Sequence, residues 1–217
     1  MIISVLLNHS LSSSDKLSLI IPQIIAVLII LFLILPLHEL AHGWVAYKFG
    51  DRTAKNAGRL TFNPLVSIDP WGALMILLFG FGWARPVPVN PNNFKNPRVG
   101  MAAGPISNFL AALIGAFIYV SVLVGSGFSV SQLSFGMELL WTFIAINISL
   151  AVFNLIPIPP LDGSKILASF LPQRLMEQFY RYQGVFILVL YALMFTGALS
   201  GPLSYIQNAC ADGILWL

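Results

Sequence analysis

The sequence is poor in charge. Only 9% of its 217 residues are Asp, Glu, Lys or Arg, against about 25% in a soluble domain. Hydrophobic residues make up 58% and mean hydropathy is +0.86, so the chain reads as an integral membrane protein. Cysteine is almost absent. Cys210 stands alone, which excludes an intrachain disulfide framework and a Cys-rich zinc ribbon, so a metal site would have to use His and carboxylates. Histidine occurs three times and acidic residues eight. Eleven Lys and Arg give a net charge of +3, too small and too scattered to form a basic face for nucleic acid. No internal repeat is evident, and no stretch is polar and long enough for a separate soluble domain. Residues 1–217 are therefore expected to form a single membrane-embedded domain. The segment Met1–Leu7 has no basic n-region and no small-residue cleavage site follows the first apolar run, which argues against a cleaved signal peptide.

Crossing about 30 Å of hydrocarbon takes ~20 apolar residues. Four runs are candidates, at about 19–47, 101–124, 135–156 and 184–199, the last only sixteen residues long. The first continues helically beyond Pro36 if that proline only kinks it. The apolar piece Trp71–Trp83 is interrupted by Gly72, Gly80 and Gly82 and is too short to cross, so re-entrant or interfacial placement is expected. The expected fold is thus an all-α polytopic membrane protein of about four transmembrane helices. A re-entrant, strand-containing loop, residues 48–100, joins the first two. Ten of the eleven basic residues lie in two stretches, between the first and second spans and between the third and fourth. Basic residues collect in short cytoplasmic loops, so both loops are expected inside and both termini outside. The cell (plasma) membrane is the expected location, and the basic loops should favour anionic lipid.

At the end of the first apolar run stands His38-Glu39-Leu40-Ala41-His42. Four helical steps bring both imidazoles to one face, near enough to share one metal ion, with Glu39 about 100° around. Zinc accepts neutral imidazole nitrogen and, in a catalytic site, keeps one position for water, which it acidifies toward a pKa near 7. A neighbouring carboxylate can then act as general base in peptide hydrolysis. The plainer reading is a polar cluster snorkelling to the interface. Against it, each ionisable side chain in a membrane helix costs about 2–3 kcal/mol, and such groups are rare unless they serve a site.

Two histidines do not complete a zinc site. His9 precedes the first span on the opposite side and reads as a solvated tail residue. Among the acids, Asp162 closes Asn154-Leu-Ile-Pro-Ile-Pro-Pro-Leu-Asp162-Gly163, where three prolines forbid regular helix and free backbone groups that suit a wet cavity. Its distance from the start of the third span puts it at the depth of His38 and His42. The alternative is a Pro-rich exit with a solvated Asp, and the matching depth favours the site. Asn147 and Asn154 would share a helix face pointing toward it. Asn154, and Asn108 in Gly104-Pro-Ile-Ser-Asn108, are candidates for binding substrate or stabilising the transition state. A helix–helix amide contact and close packing through Gly104 are their plainer readings.

With these two motifs in order and at one depth, the sequence resembles the site-2 protease family of intramembrane zinc metalloproteases, peptidase M50. The resemblance extends through Gly58-Arg-Leu-Thr-Phe-Asn-Pro64, Phe81-Gly-Trp-Ala-Arg-Pro-Val-Pro-Val89 and Ala103-Gly-Pro-Ile-Ser-Asn108, covering about residues 20–170. It implies zinc held by His38, His42 and Asp162, Glu39 as general base, and cleavage of a membrane-spanning protein substrate within or next to the bilayer. It also implies a strand-like element at 82–89, to which an extended peptide could add. Some relatives carry a PDZ or CBS domain, and no stretch here is long enough for either. The rival function is a non-enzymatic membrane zinc carrier using the same ligands. A carrier needs access from both faces, and no charged residue marks a path to the far side.

Overall fold

The computed structural model describes residues 2–79, 82–90, 93, 97–126, 134–198 and 200–215. After a short N-terminal helix, α1 (Ile2–Leu6), a continuous helical stretch runs from Ser13 to Lys48. Its first part, α2 (Ser13–Ile29), starts where the Ser12 side chain accepts the Asp15 N–H, satisfying a backbone donor that the first turn leaves unpaired. The helix then widens into a π-helical segment, Ile30–Ile34, before α3 (Leu35–Lys48). Pro36 has no N–H and its ring crowds the preceding turn. The wider π turn accommodates that defect without breaking the rod, and it resets which face His38 and His42 present.

Among the described residues, three helical stretches are long and apolar enough to cross a membrane: Ser13–Lys48, Gly100–Gly125 and Phe135–Leu155. The second belongs to α7 (Pro97–Gly125) and the third to α8 (Ser134–Leu155). The expected fourth span coincides with α11 (Gln183–Phe195), an apolar helix of 13 residues. At 1.5 Å per residue it is about 20 Å long, short of the hydrocarbon thickness by itself. Large apolar side chains stay exposed along these helices, among them Leu28, Phe32 and Leu33 on the first stretch and Ile114 and Phe117 on α7. Soluble monomers rarely expose apolar surface on this scale, and lipid would cover it. The chain is a membrane protein.

Between the first stretch and α7 lie α4 (Thr53–Asn56), α5 (Pro64–Ser67) and α6 (Pro70–Phe79). Ile76 of α6 is buried in a core with Val27, Ile30, Ile34, Ala111, Ile146 and Leu150, so α6 packs into the middle of the helical bundle. The chain then comes back along the same helix. A Cβ on Gly72 would collide with the backbone of Trp83, and one on Gly82 with that of Gly72, so the two legs of this hairpin pack backbone to backbone through glycines. Its base is closed by an antiparallel bridge between Ile68 and Ala84 and by the Arg85 N–H on Ser67 O, 2.8 Å.

The strand expected over 82–89 is reduced to that one bridge; no longer ladder forms among the described residues. Pro86 and Pro88 supply no donors, and the N–H groups of Val87 and Asn90 go to carboxylates instead. Beyond α8 the Pro-rich stretch is irregular as expected, with a cis peptide between Pro159 and Pro160, and α9 (Asp162–Ala168) follows. α10 (Gln173–Arg181), α11 and α12 (Ser200–Leu215) complete the described chain. Leu190 of α11 packs with Phe153 and Leu161, and Tyr191 meets Trp83 with ring centroids 5.9 Å apart.

Candidate metal centre

Helix α3 carries His38 and His42 one turn apart, facing α7 and α9. Their Nε2 atoms are 3.2 Å apart. Asp162, the first residue of α9, sends Oδ2 to 2.9 Å from His42 Nε2 and 3.3 Å from His38 Nε2. All three side chains are buried, with 4%, 6% and 6% exposure for His38, His42 and Asp162. Among the described residues this is the one cluster of His, Cys or acidic side chains able to hold a metal ion, its donor atoms all within 4.8 Å of one another.

The hydrogen bonds behind the rings decide what the cluster can do. His42 Nδ1 lies 2.8 Å from the carbonyl of Gly100. A carbonyl only accepts, so Nδ1 carries the proton and Nε2 of the neutral ring presents a lone pair. His38 Nδ1 lies 3.0 Å from Asn108 Oδ1, with the same consequence. With both rings neutral, two imidazole lone pairs and a carboxylate oxygen converge on one point. Three acceptors at such distances repel unless a cation joins them. A tetrahedral ion with bonds of about 2.0–2.1 Å spaces its ligand atoms about 3.3 Å apart, close to the observed separations. The donor set fits a zinc-like ion.

The space is kept by glycine. A Cβ on Gly104 of α7 would run into Nε2 of both histidines, at 2.5 Å from that of His38, so only a residue without a side chain lets α7 lie over the cluster. Gly163 has a similar role for the third donor. Its Cβ would collide with the Leu155 and Ile156 carbonyls, so the tight return from the end of α8 through the prolines to Asp162 requires glycine there. The other oxygen of Asp162, Oδ1, pairs with Lys165 Nζ at 2.9 Å, which leaves Oδ2 directed at the histidines.

Glu39 is buried too, at 7% exposure, and its Oε2 accepts the Val87 N–H at 2.7 Å. The 82–90 segment thus touches the acidic member of the His-Glu-x-x-His pattern directly. Of the remaining sequence candidates, Asn108 is brought to the cluster, as the partner of His38. Its Nδ2 is buried without a hydrogen-bond partner. Asn154 is half-buried and donates to Leu150 O at 2.8 Å, one turn back in its own helix, and Asn147 does likewise to Phe143 O. His9 is exposed, far along the chain from the cluster. Sequence reasoning missed the Gly100 carbonyl, Lys165 and the Val87 amide, and it read Gly104 as a glycine for close helix packing without placing it over the cluster. The i,i+3 spacing of Asp162 and Lys165 was the one available signal.

Residues 129–197 match the model of peptidase family M50. The chain is 40% identical over 201 residues to a protein of Bacillus subtilis named "Putative zinc metalloprotease YwhC", covering 90% of both chains. It is 30% identical over 146 residues to "Zinc metalloprotease MJ0392" of Methanocaldococcus jannaschii, covering 67% of this chain and 34% of that one. No solved structure matches significantly. Similarity that runs through nine-tenths of both chains, together with the convergence of the two motifs on one cluster, shows that the chain belongs to peptidase family M50, the site-2 protease family.

Proposed function

We propose that the chain is an intramembrane zinc metalloprotease that hydrolyses peptide bonds of membrane-spanning proteins within or next to the bilayer. The observation that carries this reading is the convergence of His38 Nε2, His42 Nε2 and Asp162 Oδ2 beneath Gly104, beside a buried carboxylate. His38, His42 and Asp162 hold the zinc. Bound there, zinc supplies Lewis acidity to water and to the scissile carbonyl.

The protein's own groups do the rest. The Nδ1 contacts to Asn108 and Gly100 fix both rings and raise their basicity as ligands. Glu39 is the general base. Its Oε2 is held by the Val87 amide, and Oε1 takes the proton of the attacking water and passes it to the leaving amine. The unpaired Nδ2 of Asn108 is a buried donor for substrate, and Asn154 would join it by turning away from Leu150. A substrate helix has its amides satisfied internally, and unwinding it in lipid costs several kcal/mol per unmatched group. The irregular 156–161 backbone and the 82–90 segment are the replacement partners. The hairpin of α6 enters the bilayer without crossing it, α11 completes a fourth span with neighbouring residues, and the site faces the cytoplasmic side with both termini outside. All of residues 1–217 form one domain.

Co-expression with a panel of single-span membrane proteins tests the proposal. Glu39→Gln should leave zinc content unchanged and lower cleavage by about 10²–10⁴-fold, the usual share of a general base. A variant that still cuts removes Glu39 from that role. Zinc uptake into vesicles that survives this substitution, without any cleavage by the parent chain, would establish a carrier instead.

A further inference from the structure

The 82–90 segment is fastened at two points, to Glu39 of α3 and to Asp51 just beyond its end, and only the first lies at the metal centre. Three residues beyond the Val87–Glu39 contact, the Asn90 N–H donates to Oδ2 of Asp51 at 2.7 Å, and Asn93 Nδ2 donates to its Oδ1 at 3.1 Å. Asp51 is fully buried and is itself fixed. Its own N–H donates to Ala46 O at 3.0 Å, folding it back beside the last turns of α3, and Oδ1 also accepts the Thr53 N–H and hydroxyl.

The two anchor points match in length. Seven helical residues from Glu39 to Ala46 rise about 10 Å, and three residues of extended chain from Val87 to Asn90 reach about 10 Å. Gly43, between the anchors, removes the side chain that would hold the segment away: a Cβ there would lie 3.1 Å from Val87 Cγ1 and 2.8 Å from Leu60 Cδ2. Pro86 and Pro88 have no N–H, so if the segment slips by one residue in either direction, Glu39 meets no donor.

We propose that Asp51 is a positioning residue for the metal centre: its carboxylate latches the 86–90 strap along α3 and so keeps the Val87 N–H on Glu39. The effect on turnover rests on the protease reading, whereas the latch does not. Released at Asn90, the strap lifts from Gly43, Val87 becomes accessible, and the Glu39 carboxylate loses the donor that fixes its orientation.

Val87 is 8% exposed, so a thiol placed there reports the latch. In the whole protein in detergent micelles, on a Cys210→Ser background, Val87→Cys is reacted with a pyridyl disulfide and the rate normalised to the unfolded chain. Asp51→Ala should raise that rate at least about tenfold, as expected for losing a hydrogen bond to a charged acceptor. So should Asn90→Pro, which deletes the donor and leaves the carboxylate. Asp51→Asn, which keeps one oxygen for the Asn90 amide, should restore most of the protection. Zinc content should stay unchanged, and without the thiol reporter kcat should fall by about 10–100-fold with a smaller change in KM, the mark of a misplaced reacting group. Should Asp51→Ala fail to fold, Asn90→Pro and Asn93→Ala carry the test. Unchanged labelling in every folded variant overturns the latch, and raised labelling with unchanged kcat overturns the positioning role. Absence of cleavage by the parent chain would count against the protease reading alone, since the labelling rates decide the latch independently.

Discussion

Gly104→Ala adds one carbon at the point where α7 covers the metal centre. That carbon would sit 2.5 Å from His38 Nε2, 2.6 Å from His38 Cε1 and closer still to His42 Nε2, whereas ordinary contact begins at 3.4 Å. About 1 Å has to be found. Metal–ligand distances tolerate only about ±0.2 Å, so the rings cannot absorb it by small adjustments. If α7 recedes instead, it carries Asn108 and Gly100 away from the two Nδ1 atoms they now meet at 3.0 and 2.8 Å. Losing one such supporting bond costs about 10–100-fold in metal affinity. Either route disturbs both histidines, so the expected loss is at least about 100-fold, or ~2.7 kcal/mol. Competition between the purified protein and a chromophoric zinc chelator measures it. Gly115→Ala on the same helix is the control, because its Cβ would meet side-chain carbons of Phe143 and Ile144 at 3.0 and 3.1 Å. Any effect on stability should stay within about 1–3 kcal/mol, and zinc affinity should not change. Parent-like zinc affinity in Gly104→Ala would refute the geometry from which the centre is argued.

Two further outcomes follow. Asp162→Asn removes the anionic donor while leaving an oxygen for Lys165, and should weaken zinc retention by more than the roughly 10–100-fold that a supporting hydrogen bond is worth; equal zinc content in the purified variant would exclude Asp162 from the ligands. The latch should also resist acid. Burial opposes ionisation of Asp51, but hydrogen bonds from the Thr53 side chain, the Asn90 and Thr53 amides and Asn93 outweigh it and hold the carboxyl below the ordinary range. A carboxyl depressed in the folded state contributes stability that is complete above its unfolded value, about 3.9, and is lost as pH falls through the lower folded value. Normalised labelling at position 87 should therefore stay flat from neutrality down to about pH 4 and rise only below, and a rise already at pH 5–6 would contradict this.

How much of this was legible in the sequence depends on what kind of group does the work. His38, Glu39 and His42 announce themselves because ionisable side chains are expensive in an apolar run, and Asp162 because prolines 157, 159 and 160 disrupt the end of a span at the same depth. Gly100 and Val87 act through backbone atoms, which every residue possesses, so nothing in their identity marks them. Gly104 works by lacking a side chain and looks the same as a glycine that only lets helices approach. Pro36 signalled a defect in the first helix, but residue types alone do not choose between a kink and the π turn that forms at Ile30–Ile34. The helix also begins at Ser13, six residues before the apolar run, because Ser12 and Asp15 cap a polar first turn that hydropathy passes over. At the other end the apolar run 184–199 overestimates α11, which stops at Phe195 before the positive-φ Gly197.

The parts of the centre come from elements that cannot be assembled by hydrophobic packing alone. Burial of Leu35 in the core with Ala111 of α7 and Ile146 and Leu150 of α8 would tolerate small rotations of α3, since an apolar contact has no preferred direction. The polar contacts do not. α7 reads α3 through the Asn108 amide and the Gly100 carbonyl, α9 through Asp162, and the 82–90 strap through the Val87 N–H, and each accepts only one orientation of its partner. Removing any one leaves a buried polar group unmatched, at about 1–3 kcal/mol and more where it is charged. The charge that the sequence so largely omits is thus spent where direction matters: apolar contact buries α3, and the groups that meet at the His38, His42 and Asp162 cluster fix its rotation.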